Sequence, residues 1–107
     1  FFPSMTDETK TAVTALHNAT LSTVTRLARE SACTLLVLDE LCAAYSLGLV
    51  DRAAVLSLLD EHGSAELVLT GRDPAPELLE RADYITEMKL VKHPYEKGVK
   101  ARKGIEY

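Results

Sequence analysis

Apolar positions along the chain change their spacing several times, and each change marks an element. Val13, Leu16, Thr20, Val24 and Leu27 recur at steps of three and four, which predicts a long helix with one mainly apolar stripe. Ser4-Met5-Thr6-Asp7-Glu8 reads as its start, with a hydroxyl to cap free amides and two acids in the first turn. Thr34-Leu35-Leu36-Val37-Leu38 is a continuous apolar run of strand length, the pattern of a strand covered on both faces. It ends in Asp39-Glu40, where a second amphipathic helix is expected to begin and run to about Leu47, with Gly48 as its stop. Asp51 caps a third helix that turns Ala54, Val55, Leu58 and Leu59 inward, and Gly63 follows its end. Leu67-Val68-Leu69-Thr70 predicts a second buried strand, closed by Gly71-Arg72. Asp73-Pro74 then supplies an N-cap with proline at the first helical position, and Glu77 to Arg81 continue that helix. Tyr84 to Leu90 alternate as a third strand, with Tyr84, Thr86, Met88 and Leu90 on one face.

Strands alternating with helices imply an α/β fold, a parallel sheet flanked by helices. A three-stranded parallel sheet is thin and leaves its edges open, so the pattern reads as the second half of a larger sheet. The chain divides into a helix over residues 1–30, an α/β core over 31–91 and a tail over 92–107, all within one domain.

Composition narrows the class. At 107 residues, 47% hydrophobic and 26% charged, this is an ordinary globular mixture, which excludes disordered and low-complexity architectures. No stretch approaches the roughly 20 apolar residues that a membrane span needs. Cys33 and Cys42 lack C-x-x-C spacing and read as buried thiols of a reduced, cytoplasmic protein. The chain opens on Phe1-Phe2-Pro3 and not on Met, as a piece of something longer would.

The net charge of −4 hides an asymmetry. Residues 1–87 carry −8 and residues 88–107 carry +4, so half of the basic side chains fall in the last twenty positions. Such a tail suits an anionic partner such as nucleotide or nucleic-acid phosphates; a solvated terminus is the plainer alternative.

In open parallel sheets, ligands bind beyond the carboxyl ends of the strands. Asp39-Glu40, Thr70-Gly71-Arg72 and the run from Lys92 all fall there. Four apolar residues followed by Asp-Glu match the second nucleotide-site signature of P-loop proteins, whose acid holds Mg²⁺ directly or through water. The competing reading is an acid that only caps the next helix. Gly71-Arg72 could offer an amide and a guanidinium to phosphate oxygens, or be a turn glycine beside a solvated arginine. His93 falls in a loop, and His17 and His62 are placed on helix surfaces. The sequence contains no Ser/His/Asp set and no zinc spacing.

Taken together the segments are more specific than any one of them. LLVLDEL (Leu35–Leu41), LVLTGRDP (Leu67–Pro74), LLERADYITEMK (Leu78–Lys89) and KHPYEKGVKARKGIEY (Lys92–Tyr107) occur in order with short spacers. The chain resembles the P-loop type of ATP:corrinoid adenosyltransferases, which act on cob(I)alamin or cob(I)yrinic acid a,c-diamide. The resemblance covers residues 30–107 strongly and the first helix weakly. It implies a RecA-like P-loop NTPase fold, here incomplete, and a cytoplasmic homodimer. It also implies ATP with Mg²⁺, and a reduced corrinoid that receives the 5′-deoxyadenosyl group. Because Co(I) is itself the nucleophile, no catalytic side-chain base is expected. On this resemblance Glu40 and Asp39 serve Mg²⁺, Arg72 lies near phosphate, and Lys100 in the basic tail helps enclose the nucleotide or corrinoid. Phe1 and Phe2 are remnants of an aromatic corrinoid loop, or else plain packing residues.

One departure stands out. Family members carry an upstream strand and a G-x-G-K-G-K-T-T loop that cradles phosphates. Here all five glycines are isolated. The expectation is therefore an enzyme-family segment that does not bind ATP tightly by itself. The alternative is a non-catalytic module for corrinoid binding or dimerisation. A nucleic-acid-binding domain is disfavoured by the acidic core and by a tail with few interleaved aromatics, and no membrane partner is expected.

Overall fold

Thr6 opens the first helix, α1 (Asp7–Arg29), its hydroxyl accepting from the Thr9 amide at 3.1 Å, and Asp7 and Glu8 occupy the first turn. The structure is a computed structural model that describes residues 5–92. After α1 come β1 (Leu35–Leu38), α2 (Leu41–Ser46), α3 (Arg52–Asp60), β2 (Glu66–Leu69) and α4 (Pro76–Arg81). β1 and β2 pair in parallel, from Leu35 opposite Glu66 to Leu38 opposite Leu69, and α2 and α3 form the crossover between them.

The face that α1 buries differs from the expected stripe. Leu21 and Ala28 are buried with Val24 packed beside them, whereas Leu16 is 66% exposed and Thr20 faces solvent. Polar anchors set this rotation. His17 Nδ1 donates to the Leu49 carbonyl at 2.7 Å, and Asn18 Oδ1 accepts from the Asp51 amide at 2.7 Å. At the other end of α1, Arg29 donates to the carbonyls of Glu61 and Ser57 near the end of α3, tying the two helix ends together. Gly63, at φ +61°, sits where any Cβ would collide with the Ala28 carbonyl.

The core gathers around Tyr45, Val55 and Leu58, all essentially inaccessible, with Leu41, Ala44, Leu49, Val50 and Leu78 around them. Burying an aliphatic side chain of this size stabilises by about 1.5–3 kcal/mol. Asp51 caps α3 as expected, accepting from the Ala54 amide at 3.1 Å. Arg52 then turns back to α2: Nε donates to the Tyr45 carbonyl at 2.9 Å, and the guanidinium lies 5.1 Å from the Tyr45 ring centre. The Tyr45 hydroxyl donates to Glu77 of α4 at 3.1 Å, which joins three helices through one residue.

Four further expectations are corrected. α4 starts at Pro76, with Ala75 as N-cap, because Asp73 adopts φ +47° and turns the chain before the helix begins. Tyr84–Leu90 forms no strand: it pairs with neither β1 nor β2, and Tyr84 and Met88 are each 93% exposed. Alternation alone does not make a strand when no neighbouring backbone supplies the hydrogen bonds. The sheet is also covered on one face only among the described residues. Leu36, Leu38, Leu67 and Leu69 pack on the core, while Leu35, Val37 and Val68 are exposed at 57%, 51% and 43%. His62 lies beyond the end of α3, half-buried, its Nδ1 donating to the Ala65 carbonyl at 2.7 Å.

Candidate functional site

The two strands end level with each other, so the residue after each is brought next to the other. Asp39 follows β1 and Thr70 follows β2. The Thr70 amide continues the ladder by donating to the Leu38 carbonyl at 3.3 Å. Its hydroxyl donates to Asp39 Oδ1 at 2.6 Å and accepts from the Glu40 amide at 2.9 Å. Glu40 sits at φ +58°, the left-handed region, and makes no side-chain cap to α2. Asp39 too is bonded to Thr70 and to no α2 amide, so the helix-capping reading of this acidic pair does not hold among the described hydrogen bonds.

α2 closes the floor of the turn. The Cys42 amide donates to the Thr70 carbonyl at 3.4 Å, and a Cβ on Gly71 would lie 2.5 Å from Cys42 Cβ. A side chain at position 71 therefore has no room. Burial pushes the Cys42 thiol up, with the charge of Glu40 adding in the same direction, so it is held as a neutral apolar group. Both cysteines are unbridged.

Asp39, Glu40 and Arg72 thus share the carboxyl-end edge of the sheet, all three exposed to solvent. Lys100, Phe1 and Phe2 lie outside the described residues, as does His93. Thr70 belongs to the expected strand-end cluster, but its side-chain role was missed. The only sequence signal is a hydroxyl placed immediately after an apolar strand, and its partner is 31 positions away. A groove of about 590 Å³ runs along α1 and α3, lined by Asn18, Ser22, Arg26 and Ser57, and no strand-end residue enters it.

No group of three or more His, Cys, Asp or Glu side chains that could hold a metal occurs among the described residues. The carboxylates of Asp39 and Glu40, both exposed, are hard oxygen donors of the kind that Mg²⁺ takes one or two of alongside substrate phosphates while keeping several waters.

Parallel strands joined by a helical crossover, ending together in an acid-bearing turn, define an α/β protein compatible with a P-loop-like fold. Sequence comparison takes the next step. The family model of ATP:corrinoid adenosyltransferase BtuR/CobO/CobP matches residues 1–107. A corrinoid adenosyltransferase of Sinorhizobium sp is 39% identical over 83 residues, covering 76% of this chain and 39% of the relative. One from Pseudomonas aeruginosa is 42% identical over 74 residues, covering 68% of this chain and 36% of the relative. Corrinoid adenosyltransferase CobA of Salmonella typhimurium is 35% identical over 74 residues, covering 68% and 38%. The chain belongs to the ATP:corrinoid adenosyltransferase family. It spans about two fifths of the length of these relatives.

Proposed function

We propose that the chain serves the transfer of the 5′-deoxyadenosyl group of ATP to the Co(I) centre of a corrinoid, in corrinoid biosynthesis or salvage. The observation that carries this reading is the family match across residues 1–107. In the reaction the cobalt electron pair attacks C5′ of ATP, a Co–C bond forms, the C5′–O bond breaks, and triphosphate departs with that bond's electrons. The substrate brings its own nucleophile, so this reading requires no side-chain base at the strand ends.

The protein's task is then to bind, orient and exclude water. Asp39 and Glu40 would hold Mg²⁺, directly or through its waters, and the ion would offset charge on the triphosphate. Arg72, on the same edge, is suited to phosphate oxygens, since a guanidinium binds them in a paired geometry. Lys100 belongs to the basic tail and is assigned to phosphate or corrinoid; Phe1 and Phe2 are assigned to the corrinoid side. A homodimer in the cytoplasm completes the proposal. No helix among the described residues is long and apolar enough to cross a membrane.

The second reading is a non-catalytic corrinoid-binding or dimerisation module. A chimera separates the two. The segment of the Pseudomonas aeruginosa relative that matches this chain is replaced by the corresponding residues here, and adenosylation of chemically reduced cobalamin is followed with MgATP. Formation of the Co–C product, with a loss of about 100-fold or more in Asp39→Asn, is the expected result. A folded chimera that binds cobalamin without adenosylating it would favour the module.

A further inference from the structure

We propose that Thr70 is the positioning residue of the acidic turn. Its hydroxyl fixes the Asp39 carboxylate through Oδ1, so that Oδ2 is the oxygen left for a divalent cation or its bound water. The inference rests on the metal role proposed above for Asp39.

The direction of the hydrogen bonds follows from what each group can do. A backbone N–H only donates, so the Glu40 amide must donate to Thr70 Oγ1, at 2.9 Å. An ionised carboxylate only accepts, so the hydroxyl proton goes to Asp39 Oδ1, at 2.6 Å. The short distance is that of a charge-assisted O–H···O⁻ bond. One hydroxyl therefore acts as acceptor and donor at once, and the two bonds polarise each other. Among the described residues Asp39 Oδ2 makes no hydrogen bond of its own.

Thr70 is itself held in place. Its amide donates to the Leu38 carbonyl at 3.3 Å, and its carbonyl accepts from the Cys42 amide at 3.4 Å. With the backbone pinned, the two bonds made by the hydroxyl itself fix its rotamer. The same hydroxyl also anchors Glu40 in its left-handed conformation at φ +58°, which an unsupported glutamate would leave. Outer-sphere partners that orient a ligating carboxylate commonly matter nearly as much as the ligand.

The test uses the 107-residue chain, Mn²⁺ alone as the probe, and two variants that divide the side chain. Thr70→Ser keeps the hydroxyl and drops the methyl; Thr70→Val does the reverse. Amide NMR spectra are recorded without metal and through a Mn²⁺ titration. Expected is a native-like Glu40 amide and native Mn²⁺ broadening at residues 39–41 in Thr70→Ser. Thr70→Val should shift the Glu40 amide, speed its hydrogen exchange and weaken Mn²⁺ at the turn by about tenfold. The amides of Leu36 and Leu67 should stay unmoved in both.

If Thr70→Val matches the native chain in both measurements, or Thr70→Ser is as damaging as Thr70→Val, the residue only packs and the proposal is overturned. Asp39→Asn covers the case of a Val variant that does not fold. It leaves Thr70 intact and should also move the Glu40 amide, and an unmoved amide would break the connection. If the native chain shows no Mn²⁺ broadening at the turn while the Glu40 amide still answers to the hydroxyl, the metal role fails and the positioning of Asp39 stands.

Discussion

The Tyr45 hydroxyl reaches Glu77 across 32 positions of sequence, and Thr70 reaches Asp39 across 31. At the scale of single residues such bonds fix how distant stretches meet, and Glu77 makes one of them sensitive to acid. Its own backbone amide first, and then the Tyr45 hydroxyl, hold its carboxyl below the usual carboxylate range. With the folded-state value below the unfolded one, the contribution is fully present above the unfolded pKa and is lost as pH falls through the folded value. Tyr45→Phe removes one of the two supports. Urea unfolding from about pH 7 to about pH 3 should therefore show a smaller acid-dependent loss in the variant than in the native chain, and equal losses would disconnect Glu77 from the effect. Gly63→Ala should lower the unfolding free energy by at least about 1–3 kcal/mol, because it combines a left-handed φ with a collision at the Ala28 carbonyl. A variant as stable as the native chain in denaturant unfolding would refute that. The place of Asp39 and Glu40 at a strand end was legible in the sequence because an apolar run stops abruptly at charge. The Thr70 bond was not, since nothing local in a sequence states which acid a hydroxyl will face.

Elements whose ends are set locally were read well. The caps at Thr6 and Asp51 need only a short side chain and an amide three positions on. Elements that depend on partners were read less well. The rotation of α1 is set by His17, Asn18 and Arg29 reaching carbonyls and amides of other segments, so a stripe counted from apolar residues alone catches Val24 but misses Leu21 and Ala28. Leu58→Ala should cost about 3–5 kcal/mol in denaturant unfolding, while Leu16→Ala should stay within about 0.5 kcal/mol. Similar costs would mean that Leu16 is packed after all. Tyr84–Leu90 alternates like a strand, yet strand formation is a property of a pair of backbones.

For the whole molecule, the α/β class and parallel pairing followed from the alternation of strands and helices, whereas coverage of both sheet faces did not. Leu35, Val37 and Val68 form an exposed apolar strip on the face opposite the core. This strip should bind an apolar dye such as ANS. Val37→Thr with Val68→Thr should reduce the fluorescence while changing unfolding free energy by no more than about 1 kcal/mol. Unchanged fluorescence would place the dye site elsewhere. The level ending of β1 and β2 carries a further consequence. Because Leu38 lies opposite Leu69, Asp39 and Thr70 meet by counting along the strands. Deleting one residue inside β2 would draw Thr70 back by one place and, since side chains alternate, turn its hydroxyl to the other face of the sheet. The acidic turn would be lost although no residue in it had been altered. Insertions between α2 and α3, or between α3 and β2, leave that count untouched, so length variation is tolerable in those parts of the crossover and forbidden in the strands and the acidic turn.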